Sequence, residues 1–161
     1  MKIAILSDTH NQQHRLQRAL ELARDYQAQR VLHCGDIEDP FMIELFANWQ
    51  ADFVLGNCDL AQEELRKAIE AIGGTLHRQY GHLEIAGKNI AFLHGHITQL
   101  QRDLEQSGAY DYLFHGHTHV EADSLVGTTR VINPGALYRA AVKTFVVLDV
   151  VSGERQRVVV E

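Results

Sequence analysis

The chain has 161 residues, 45% of them apolar and 22% charged, which suits one globular domain spanning 1–161. The formal charge is -6 with no basic run, so long-range attraction to nucleic acid is not built in, and no segment approaches membrane-spanning length. Ten histidines against one Trp and two Met direct attention to metal.

Ile3 to Leu6 is a continuous apolar run, the pattern of a strand buried on both faces. Leu16, Leu20 and Ala23 follow at helical spacing, with Asn11 as the expected N-cap. Val31-Leu32 reads as a second strand, Pro40 as the start of a short helix, and Phe53 to Leu55 as a third strand. Leu65, Ala68, Ile69 and Ile72 make another helix face, stopped by Gly73-Gly74. This βαβαβα order predicts a parallel sheet.

The second half changes character. Leu83 to Ile85 and Ile90 to Leu93 flank a hairpin turn at Ala86-Gly87-Lys88. A helix is expected from Thr98 to Gln106 and a short strand at Tyr112 to Phe114. Two further hairpins turn at Gly127-Thr128 and Ser152-Gly153, and the last strand, Gln156 to Val160, is a candidate sheet edge. The expectation is an α/β chain of two packed sheets with helices outside. Cys34 and Cys58 form no CxxC pair, and the apolar start ends at Ser7-Asp8, too soon for a leader. Both therefore read as reduced thiols of a cytoplasmic protein.

Five short motifs follow strand-like runs: Asp8-Thr9-His10, Gly35-Asp36, Gly56-Asn57-Cys58-Asp59, His94-Gly95-His96 and Gly116-His117-Thr118-His119. Alone, each has an ordinary explanation: Asp caps helices, Gly-Asp and Gly-Asn make turns, and paired histidines can simply be exposed. Together they place two carboxylates, an amide and several imidazoles at strand C-terminal ends, where ligands bind in open α/β sheets. Such a set can hold two divalent cations, and paired cations break phosphoester bonds. Mixed nitrogen and oxygen donors suit Mn, Fe, Zn or Ni better than Mg or Ca.

From Asp8 to Gly135 the pattern resembles the calcineurin-like metallophosphoesterase superfamily, and within it the small phosphodiesterases of the YfcE type. The resemblance implies a four-layer α-β-β-α sandwich of two mixed sheets. It also implies one metal held by Asp8, His10, Asp36 and His119, and a second held by Asp36, Asn57, His94 and His117, with Asp36 bridging. The implied cofactor is two divalent ions, Mn²⁺ first, and the implied chemistry is attack by a metal-bridging hydroxide on a small phosphodiester. Asn57 would also orient a phosphate oxygen. Asn133-Pro134-Gly135-Ala136 is similar to the family's Asn-Pro-Gly-Ser turn, with Ala136 in place of serine.

Cys58 stands where many relatives carry a histidine that protonates the leaving group. A thiol with an ordinary pKa near 8.5 donates poorly at pH 7. Two readings stand side by side, a weak acid and a small space-filling residue. Of the remaining histidines, His33 is expected in the core or behind a ligand. His96 and His115 are expected beside ligands, and His14, His77 and His82 at the surface. Cys34 is expected to be buried and Trp49 to pack. A metallo-β-lactamase pattern would need Asp at Glu121 and His at Ala122 and fails. Two alternatives remain: an interaction scaffold on the same fold, as in the related retromer subunit, and a phosphomonoesterase acting on a small metabolite. A homodimer or homotetramer is also compatible with the last strand lying at an edge.

Overall fold

The computed structural model describes residues 1–161. Strands β1 (Lys2–Leu6), β2 (Arg30–His33), β3 (Gln50–Phe53) and β4 (Thr75–Leu76) run parallel. Their sheet is completed by two antiparallel strands, β10 (Thr144–Asp149) and β11 (Arg155–Val159), in the order β11-β10-β1-β2-β3-β4. The second sheet contains β5 (Tyr80–Ile85), β6 (Lys88–Leu93), β7 (Tyr112–Phe114), β8 (Ala122–Val126) and β9 (Thr129–Asn133), in the order β5-β6-β7-β9-β8. Here β6, β7 and β9 are parallel, and β5 and β8 are antiparallel edges.

Period-two alternation builds the layers. From β1, Ile3 and Ile5 face the second sheet and meet Ile90, Phe92, Phe114 and Ile132. Ala4 and Leu6 face the other way, onto Leu16, Leu20 and Ala23 of α1 (Gln13–Asp25) and Leu65 and Ile69 of α2 (Gln62–Ala71). On the outer face of the second sheet, Ala91, Leu113 and Val131 meet Leu104 of α3 (Thr98–Gln106). The result is the expected α-β-β-α sandwich, with Cys34 buried between the sheets. Each fully buried Ile, Leu or Phe contributes about 1.5–3 kcal/mol by leaving water.

Several local expectations are corrected. Gln12, not Asn11, precedes α1, and it makes no side-chain cap bond. Asn11 sits at φ +59, donates its amide N–H to the Glu38 carboxylate and accepts from the Asp39 N–H, so it is not free to cap the helix. The segment opened by Pro40 is a 3-10 helix, Pro40–Phe46, capped by Asp39. The third strand ends at Phe53, and β4 was not anticipated in two residues. α2 does stop at its glycines: Gly73 takes φ +75, and the Gly74 N–H reaches the Ile69 carbonyl. β11 does lie at a sheet edge. Arg155 and Arg157 link it to Glu121, beside the β8 edge of the other sheet. His77 is not a free surface residue. It pairs with Asp52 at 3.0 Å and meets Phe92 edge-on.

Candidate metal centre

The parallel inner strands all point the same way, so the loops after β1, β2, β3, β6 and β7 gather at one end of the sandwich. Their backbones turn hard. Asp8, His10, Asp36, His117 and His119 lie at φ +54, +42, +58, +66 and +58. Each left-handed non-glycine residue costs on the order of 1–3 kcal/mol, and such strain concentrates where side chains are held for function. Two glycines make the crowding possible. A Cβ at Gly56 would collide with the Asp36 carboxylate, and one at Gly116 with Ser7 and Asp8.

The side chains converge. Asp8 Oδ1 lies 3.1 Å from His119 Nε2, and the two ring nitrogens His10 Nε2 and His119 Nε2 are 3.3 Å apart. Asp36 Oδ2 stands 3.5 Å from His10 Nε2 on one side and 3.4 Å from His94 Nε2 on the other. Asn57 Oδ1 is 3.1 Å from the same His94 nitrogen. The His117 ring is 5.1 Å from that of His94, and the His117 backbone N–H donates to Asp8 Oδ2 at 3.0 Å. Cys58 Sγ comes within reach of His10 and Asp36. His117 alone of the expected histidines and carboxylates stands outside the mutually close donor groups.

These contacts are the wrong kind for an empty polar core. His10 commits Nδ1 to Glu38 Oε1 at 2.7 Å, and His94 commits Nδ1 to the Cys34 carbonyl at 2.8 Å. These bonds leave Nε2 of each ring facing the cluster, where it offers a lone pair to a cation. Asp8 Oδ1 is buried without any hydrogen-bond partner. Acceptors facing acceptors, with an orphaned carboxylate oxygen among them, fit divalent cations.

The buried groups also shift one another's charge. Burial pushes the Asp36 carboxyl up, but the His94 contact and the Cys58 N–H outweigh it and hold it well below the usual carboxylate range. Burial opposes charge on His94, and Asp36 reverses the outcome, raising it. For Cys58, partial burial and then the Asp36 carboxylate push the thiol to about 11. His33 is a core residue whose pKa falls to about 3, chiefly through burial. It accepts from the Gly35 N–H and faces Thr9 Oγ1. His115 is lowered by burial, and His96 is exposed at the rim.

Residues outside the expected ligand set hold it in place. The Asp59 carboxylate accepts from the N–H groups of Asp36, Ile37, Glu38 and Gly56 at 2.7–2.8 Å, pinning the second loop to the third. Glu38 orients His10. Asn133 donates to the Gly116 carbonyl and to Thr118 Oγ1, fixing the loop that carries His117 and His119. Ala136, where the turn's serine would be, is fully buried. Asp59 and Asn133 stand in the sequence motifs without a role of their own there, whereas Glu38 left no local trace. A cleft of about 490 Å³ opens over the cluster, walled by His10, Asp36, Asn57, His119, Tyr138 and Arg139 among others.

Residues 1–153 match the family model of the calcineurin-like phosphoesterase superfamily domain. This chain belongs to that superfamily. It is 31% identical, over the full length of both chains, to phosphodiesterase MJ0936 of Methanocaldococcus jannaschii. The solved structure of a novel archaeal phosphodiesterase superposes with a TM-score of 0.93 at 30% identity, covering 99% of this chain and 100% of that one. The Escherichia coli phosphoesterase YfcE shares the fold over the whole of both chains, with a TM-score of 0.70 at 19% identity. The protein is thus a hydrolase acting on phosphoesters, of a family that uses divalent metal ions.

Proposed function

We propose that the 161 residues act as one domain carrying a dinuclear, Mn²⁺-preferring phosphodiesterase centre. One ion would sit among Asp8, His10, Asp36 and His119, and the other among Asp36, Asn57, His94 and His117. The observation that carries this reading is the place of Asp36 Oδ2, midway between His10 Nε2 and His94 Nε2 at 3.5 and 3.4 Å. One carboxylate oxygen is shared by two donor sets. Two bound cations would supply a hydroxide nucleophile near neutral pH and offset charge on the phosphoryl oxygens.

The chain's own residues supply the rest. Glu38 and the Cys34 carbonyl keep His10 and His94 in the tautomer that offers Nε2. The Cys58 N–H, bonded to Asp36 Oδ1 at 2.9 Å, turns the other oxygen inward. The exposed Asn57 amide lines the cleft, with its Nδ2 free to swing from the Cys58 sulfur to a phosphate oxygen. A thiol is a poor proton donor at neutral pH, so turnover favours diesters with acidic leaving groups.

The test is hydrolysis of bis-p-nitrophenyl phosphate by chelator-stripped protein with and without Mn²⁺, beside Asp36→Asn. The expected result is Mn²⁺-dependent turnover that falls by more than about a hundredfold in the variant. Metal uptake by folded protein without turnover under Mn²⁺, Ni²⁺, Zn²⁺ or Fe²⁺ would favour a scaffold instead.

A further inference from the structure

The cleft is not the only hollow at this centre. A groove of about 620 Å³ opens on the other side of the Gly56-Asn57 turn. Asn57 and His117 wall the cleft, whereas Gly56 and His96 wall the groove, and the His96 and His117 rings are only 6.3 Å apart. The two hollows therefore share a partition built from the candidate ligand loops. The groove runs outward past Leu76, His77 and Arg78, and it continues to Tyr80 and His82. A monoester would occupy one hollow. A diester has two arms leaving phosphorus in different directions, and here there is a path for each.

Each path holds an exposed arginine without an ion pair. Most other arginines in the chain are engaged by carboxylates: Arg18, Arg30, Arg66, Arg130, Arg155 and Arg157 all are. Arg139 in the cleft is held at φ +47, with its guanidinium 5.1 Å over the Tyr138 ring, and Tyr138 leans on His10 at 5.3 Å. The guanidinium thus stands one aromatic ring beyond the metal donors, placed for the next anionic group rather than the reacting one. Arg78 lines the groove on the opposite side. The acids in these hollows are already taken. Glu63 and Glu70 are held by Arg66 at 2.6 Å, and Glu38 by His10 and Asn11.

The geometry points to a substrate class: a linear phosphodiester chain carrying a further phosphate on each arm, one met by Arg139 and the other by Arg78. This rests on the hydrolytic reading above. Planar guanidinium forks suit phosphate oxygens, and Tyr80, beyond Arg78, offers a face for a flat substituent.

The experiment compares three substrates with Mn²⁺-loaded protein: bis-p-nitrophenyl phosphate, thymidylyl-thymidine, and the thymidine tetranucleotide, whose central diester has phosphates on both sides. The tetranucleotide should be cut at its central bond with kcat/KM about tenfold above the dinucleotide. Arg78→Ala and Arg139→Ala should each raise its KM about tenfold with kcat kept, a far larger effect than on bis-p-nitrophenyl phosphate. Arg139→Lys should recover part of the loss, since it restores charge without the fork. Hydrolysis of bis-p-nitrophenyl phosphate with no preference for the tetranucleotide would overturn this inference alone. So would variants that weaken all three substrates equally. No hydrolysis of any of them would overturn the phosphodiesterase reading and this inference with it.

Discussion

The parallel and antiparallel strands of the two sheets do different work. The parallel inner strands β1, β2, β3, β6 and β7 end together, and their loops carry every candidate ligand. The antiparallel strands β5, β8, β10 and β11 return through short turns such as Ala86-Gly87, at φ +52 and +76, and carry none. Both kinds of turn use left-handed backbone. At the hairpins that backbone meets open space, since a Cβ at Gly87 or Gly127 would touch nothing. At the inner ends it is packed against buried carboxylates. Parallel topology gathers loops and antiparallel topology only closes edges, so polar burial and strain concentrate at one end of the sandwich.

The largest expected effect comes from breaking the inner end directly. Asp59→Ala leaves four backbone N–H groups near Asp36 and Gly56 without their acceptor. At about 1–3 kcal/mol for each buried donor, partly relieved by water, a loss of about 4 kcal/mol is expected. A urea midpoint that hardly moves would show that the loops hold without it.

Asp52, inside β3, tests a polar group of the same half away from the metal end. Burial raises its carboxyl, but His77 and Arg30 outweigh this and set it below the ordinary value. The stability it adds is therefore complete above the unfolded carboxylate pKa and is lost as pH falls through its lowered folded value. Asp52→Asn should cost about 3 kcal/mol at pH 7 and flatten the acid side of the stability curve. An unchanged acid limb would contradict the assignment.

A glycine pair sharpens the contrast further. Gly116→Ala drives a methyl into Ser7 and Asp8, and should cost about 2–3 kcal/mol and weaken metal uptake. Gly87→Ala meets only its φ of +76, and about 1 kcal/mol is expected with metal uptake intact. Equal melting shifts would erase the distinction between the two ends.

Cys58 gives the smallest effect. In metal-free protein its alkylation by iodoacetamide should rise with pH toward about 11 rather than level off near the usual thiol value. Cys58→His should speed alkyl diesters by about tenfold or more while leaving p-nitrophenyl esters little changed. Equal gains on both would remove the missing-acid argument.

The layers were readable because each depends on local pattern: Ile3, Ile5 and Phe92 alternate, and Leu16, Leu20 and Ala23 share a helix face. That the motif residues gather at one end was readable because each follows a strand. The roles of the groups that orient them were not, since Glu38 meets His10 28 residues away and Asp59, though within a motif, reaches Asp36 across 23. Asn11 misled for the same reason, its amide being taken by a loop distant in sequence. His77 lacked any sequence pattern, and its partner Asp52 emerged only when β3 and β4 paired. Contacts that close over long sequence separation leave no period to read.

The central claim is that Asp36 serves two ions at once. Mn²⁺ bound per chain, measured by equilibrium dialysis and metal analysis on folded wild type and Asp36→Asn, tests it most directly. Two ions are expected in the wild type and no more than one tightly held in the variant. A single ion at saturation in the wild type, or unchanged occupancy in the variant, would contradict it.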